Sequence, residues 1–201
     1  MGLIELHFIF SFVLIVHVIT VINGWAKSGE SGSGERAQNV YEIALEEYEQ
    51  GNSEALPNSF LYSALIDAWV KARDKESVSR AYEIYSELYN NFIEGINDVK
   101  PSTFLANQVI DAFSRSGKPG AGDRAEELLA MLDNLYTMYK DDEMKPNAQS
   151  YTITMNAWAK SRSFGKAKKA EKILLKMEEA YKTGNRDAKP NVFAYTAVVS
   201  F

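Results

Sequence analysis

Leu65-Ile66-Asp67-Ala68-Trp69-Val70-Lys71 decides the fold, because the chain writes it four times. Its counterparts are Val21-Ile22-Asn23-Gly24-Trp25-Ala26-Lys27, Val109-Ile110-Asp111-Ala112-Phe113-Ser114-Arg115 and Thr154-Met155-Asn156-Ala157-Trp158-Ala159-Lys160. The aromatic anchors at 25, 69, 113 and 158 lie 44, 44 and 45 residues apart. A second anchor follows each: Arg36-Ala37, Arg80-Ala81, Arg124-Ala125 and Lys169-Ala170, with the alanine always 12 residues past the aromatic. A third closes each unit at Pro57-Asn58, Pro101-Ser102, Pro146-Asn147 and Pro190-Asn191. Three anchors in constant order at this period are the mark of a stacked-repeat architecture.

The period divides the chain into an apolar segment at 1–14, a partial, atypical repeat at 15–58, repeats at 59–102, 103–147 and 148–191, and the start of another at 192–201. In the repeat at 59–102, apolar residues at 61, 62, 65, 68 and 69 make the stripe of an amphipathic helix. After a short polar turn, Ala81, Ile84, Tyr85, Leu88 and Phe92 make a second stripe, from Arg80 to about Phe92. The same stripe reads Ala37/Val40/Tyr41/Ala44/Tyr48, Ala125/Leu128/Leu129/Leu132/Tyr136 and Ala170/Ile173/Leu174/Met177/Tyr181 elsewhere. A proline then starts the next unit, since it cannot continue a helix. The expected fold is an all-α α-solenoid of helix–turn–helix repeats, each covering its neighbour's apolar stripe. Trp25, Trp69 and Trp158 are expected as wedges between helices. Phe201 falls inside the first helix of a fifth unit without a polar capping repeat, as expected of a fragment of a longer array.

Composition narrows the chemistry. The chain is 46% hydrophobic and 24% charged, as a folded soluble chain is. It has no cysteine, and both histidines, His7 and His17, lie in the apolar N-terminal run. Disulfides, thiolate metal sites and a histidine-based triad or zinc site within the repeats are thereby excluded. No Gly-rich phosphate loop or nucleophile elbow appears. The acidic clusters Glu46-Glu47, Glu126-Glu127, Asp141-Asp142-Glu143 and Glu178-Glu179 read as solvated surface, with no partner base beside them. No catalytic residue, metal or cofactor is expected. A net charge of −5 gives no bulk attraction to nucleic acid, so any such attraction needs basic residues gathered on one face.

Residues 3–22 are almost uninterruptedly apolar, long enough for a membrane span. They lack the basic flank and small-residue cleavage site of a secretory signal, and the Arg/Ser-rich pattern of a transit peptide. Three readings stay open: an inaccurate or truncated start joined to a genuine half-repeat, a membrane anchor, and an uncleaved targeting segment.

Taken together, each unit resembles a pentatricopeptide repeat. The shared features are an early aromatic and polar residue, an apolar-Asp/Asn-Ala-Trp/Phe run with a basic residue, a basic-Ala pair and a closing Lys-Pro-Asn. The resemblance covers residues 18–201 and is fullest from Tyr151-Thr152 to Asn191. These units are longer than the family's usual ones, with extra residues at 161–165 and 183–187. Loops tolerate such insertions. A tetratricopeptide-like array, the nearest rival, wants an early Trp-x-x-Leu-Gly-x-x-Tyr that is missing here.

The resemblance implies a right-handed superhelix that binds single-stranded RNA, one base per repeat. It implies base-reading pairs at Ser63 with Ser102, Asn107 with Asn147 and Thr152 with Asn191, with Thr196 opening the next pair. In the first unit Ile19 departs from the pattern. Thr152/Asn191 is then expected to favour adenine and Asn107/Asn147 a pyrimidine. The same polar residues also suit helix caps. Phe60, Phe104, Gln149 and Phe193 stand where the family flanks bases; a phenylalanine there either stacks on a base or packs the seam between repeats. Lys27, Lys71, Arg115 and Lys160, two residues past each aromatic anchor, form a basic ladder at the family's phosphate-contact position. The run from Lys166 to Lys172 reads mainly as exposed surface. The partner implied is RNA, in a mitochondrion or plastid, for processing, stability or translation. The alternatives are a protein-binding scaffold and the RNA-binding part of a larger RNA-processing enzyme.

Overall fold

The computed structural model describes residues 3–72 and 74–199, with side chains from residue 15 onward. Among them the chain is all-helical, with no strand. It forms two compact units, divided between Val99 and Lys100.

The first unit holds α1 (Leu3–Ser28), α2 (Ser33–Glu49), a 3-10 turn (Ser53–Ala55), α3 (Ser59–Lys71) and α4 (Ser77–Ile93). Helix α1 packs on both α2 and α3, α2 packs on α3, and α3 packs on α4. The α3 stripe at Leu61, Tyr62, Leu65, Ala68 and Trp69 is buried as its spacing requires. A fully buried leucine of this kind contributes about 1.5–3 kcal/mol. Tyr41 and Tyr62 meet hydroxyl to hydroxyl at 3.3 Å, and burial pushes both phenols up from their ordinary value.

The second unit holds α5 (Thr103–Ser116), α6 (Ala121–Tyr139), a 3-10 turn (Asp142–Met144), α7 (Ala148–Lys160), α8 (Lys166–Lys182), a 3-10 turn (Arg186–Ala188) and α9 (Val192–Val199). Here α5 packs on α6 and α7, α6 on α7, and α7 on both α8 and α9. Trp158, Tyr151, Met155, Ile173 and Met177 form one buried cluster around α7 and α8.

The second helices open three residues earlier than the basic-Ala pair, at Ser33, Ser77, Ala121 and Lys166. At Gly120 the backbone turns at φ 80, a conformation open to glycine, and lets the helix begin sooner. The last residue of each second stripe stays outside the core. Tyr48 is exposed, and Phe92, Tyr136 and Tyr181 are half-buried, because the helix there runs out from under its partner. Tyr136 and Tyr181 instead lie under cations, Lys145 at 5.6 Å and Arg186 at 5.4 Å from the ring centres.

The inserted residues before the prolines are not plain loop. They include the 3-10 turns, which plug Ala55, Met144 and Ala188 into the core. In the second unit two lysines that precede prolines, Lys100 and Lys145, reach these turns. Lys100 lies 2.7 Å from Asp141 and 3.2 Å from Glu143, and Lys145 lies 2.9 Å from Asp187. Lys100 holds the Asp141 carboxyl below its ordinary 3.8, and Ser31 and the Gly32 N–H do the same for Asp74 in the first unit. A carboxyl lowered in the folded state adds stability above its unfolded pKa and loses it as pH falls through the lower folded value. Stability is therefore expected to drop on acidification below about pH 4, with a shallower drop in Asp74→Asn. Urea midpoints measured across that window check this. Asp133, pushed up by burial, works in the opposite direction and softens the fall.

No helix among the described residues is long and apolar enough to cross a membrane. The side chains of residues 3–14, most of the candidate span at 3–22, lie outside that set, although α1 runs through residues 14 and 15 without a break. Phe201 and its expected helix interruption also lie outside the described residues.

Candidate nucleic-acid interface

The closing polar residue of each repeat caps the helix that follows. Asn58 accepts from the Leu61 N–H at 3.0 Å, Ser102 from Leu105 at 3.4 Å, Asn147 from Ser150 at 3.1 Å and Asn191 from Ala194 at 3.0 Å. Each thus satisfies an orphan N–H of a first turn. At Asn147 the cap is reciprocal, since Ser150 Oγ accepts from the Asn147 N–H. Asn147→Ala is expected to cost about 0.5–2 kcal/mol of stability, read by thermal or urea denaturation.

Capping does not use up these amides. Asn107, on α5, lies with its Nδ2 3.5 Å from Asn147 Oδ1, so the two halves of this expected reading pair meet across 40 residues. Asn107 is buried, and its Oδ1 has no hydrogen-bond partner among the described residues. An orphaned buried acceptor costs about 1–3 kcal/mol until something donates to it. Thr152 and Asn191 share the second unit with no hydrogen bond between them among the described residues. Thr152 Oγ1 instead donates to the Ala148 carbonyl at 2.7 Å, and Thr196 Oγ1 to Val192 at 2.8 Å. The Thr152 hydroxyl oxygen keeps its lone pairs for a donor. Ser63 is half-buried on α3.

The flanking aromatics are in the open: Phe60 is 73% exposed, Phe104 65% and Phe193 75%. Gln149 is exposed as well. Each stands three residues before a reader (60 and 63, 104 and 107, 149 and 152, 193 and 196), which on a helix is the same face.

The ladder is uneven. Lys71 is held by Asp67 at 2.6 Å and Arg115 by Asp111 at 2.9 Å, whereas Lys27 and Lys160 are exposed with no ion pair among the described residues. Two of the four ladder cations thus carry an i,i+4 carboxylate partner.

No family model and no curated protein matches the chain.

Sequence reading gave the alanine of the second anchor a role, as the small residue that lets the two helices approach closely, but left its basic residue unexplained. Its basic residue roofs the aromatic anchor: Arg36 sits 4.8 Å from the Trp25 ring centre, Arg80 5.8 Å from Trp69 and Lys169 5.0 Å from Trp158. A cation over an indole face contributes about 0.5–2 kcal/mol. The constant 11-residue offset between the two anchors was the readable signal. Trp69 and Trp158 are buried wedges, while Trp25 is only half-buried beneath its arginine.

Proposed function

We propose that the chain is a stretch of a pentatricopeptide-type α-solenoid that binds single-stranded RNA sequence-selectively, acting in organellar RNA processing, stability or translation. The observation that carries this reading is the recurrence of exposed Phe60, Phe104 and Phe193, each one helical turn from a polar side chain at the same repeat position. Water does not favour three bare phenyl rings at one repeat position. Unstacked bases do, because each has a π-face to lay on them. The back-bonded Thr152 hydroxyl offers an acceptor to an adenine amino group. In a duplex the inner base faces are stacked and the Watson–Crick edges paired.

The test is equilibrium binding of the whole chain to labelled RNA of random sequence, single-stranded and duplex, at two salt concentrations. Single-strand binding that survives duplex competitor supports the reading. Equal binding of both forms refutes it.

Neutralisation of Lys71 and Arg115 favours a second reading, a protein-binding scaffold whose exposed phenylalanines take apolar side chains. Its signature is retention of a protein partner by a chain with no affinity for single-stranded RNA.

A further inference from the structure

The residues four before the ladder cations are Asn23, Asp67, Asp111 and Asn156. Positions i and i+4 share a helix face, so an acid there meets the cation and an amide leaves it alone. Asp67 and Asp111 meet theirs at 2.6 and 2.9 Å. In each unit, one ladder cation is neutralised in place and the other is not: Lys71 against Lys27, and Arg115 against Lys160.

Resting on the RNA reading above, we infer that phosphate contact along this chain is graded. Lys27 and Lys160 hold the backbone, and Asp67 and Asp111 are built-in competitors that weaken the hold at Lys71 and Arg115. A phosphate approaching Lys71 meets an ammonium already shared with a carboxylate, and must displace that carboxylate or sit beside it as a second anion. The pair is exposed and weak, so contact is attenuated and not blocked. The grading has a consequence for selectivity. In the repeats at 59–102 and 103–147 less of the attraction comes from the sequence-blind backbone, so more must come from the base opposite Ser63/Ser102 and Asn107/Asn147.

The test uses the whole chain and labelled single-stranded RNA of random sequence, at about 50 and about 200 mM salt. Lys27→Ala with Lys160→Ala is expected to weaken binding roughly tenfold or more. It should also lower the salt slope by about 1.4, two phosphates at about 0.7 each. Lys71→Ala with Arg115→Ala is expected to cost less than about threefold. Asp67→Asn with Asp111→Asn is expected to tighten binding by roughly three- to tenfold. In that background, removing Lys71 and Arg115 is expected to cost as much as removing Lys27 and Lys160. Glu46→Gln with Glu179→Gln, which changes net charge equally on exposed second-helix positions, is the control. Equal losses from the two cation pairs in the native background, or tightening matched by the control, overturns the grading and leaves RNA binding standing. No binding by the unmodified chain at low salt, with its helical signal intact, overturns both.

Discussion

Gly122→Ala is expected to destabilise the chain by about 1–3 kcal/mol, against the gain that replacing glycine by alanine in a helix normally brings. A Cβ built on Gly122 would overlap the Trp158 indole, and one on Gly34 would overlap Trp69 in the same way. Trp158 is 2% exposed and roofed by Lys169, so it has no room to yield. Trp158→Ala alone is expected to cost about 3–5 kcal/mol. The decisive measurement is the cycle between the two. Once the indole is gone, alanine at 122 has space and better helix propensity, so its effect is expected to fall to near zero or turn stabilising, a coupling of at least about 1 kcal/mol. Urea denaturation of the four proteins reads it. An equal cost for Gly122→Ala in both backgrounds would show that the close approach of α6 to Trp158 is not what excludes a side chain there.

The largest effect on binding is expected from the exposed aromatics. Each of Phe60→Ala, Phe104→Ala and Phe193→Ala is expected to remove about 1–3 kcal/mol of single-stranded RNA affinity, about fivefold to more than a hundredfold. Stability is expected to change little, because each ring is already at least 65% exposed in the free chain. Titration of labelled RNA gives the first quantity and thermal denaturation the second. Loss of stability with unchanged affinity would make these rings part of the scaffold and deprive the reading of its main support.

The helices and their buried stripes were legible because amphipathic periodicity is a direct imprint of which face packs. The recurring alanine and the tryptophan wedges announced tight hairpins for the same reason. The 3-10 turns were not foreseen, since three residues carry no period. Their buried plugs do leave a trace, Ala55, Met144 and Ala188, each two residues before a proline. The uneven ladder was written in the order Asn, Asp, Asp, Asn at 23, 67, 111 and 156, and emerges only when each cation is read with the residue one turn before it. The meeting of Asn107 with Asn147 was legible solely through the family resemblance, because no local rule joins residues 40 apart.

Affinity selection from a random single-stranded RNA pool with the whole chain tests the central proposal most directly. The expected result is enrichment of a pyrimidine next to an adenine, lost when Asn107→Ala and Thr152→Ala are combined. A selected pool no different from the input, from a chain with its helical signal intact, would contradict modular base reading.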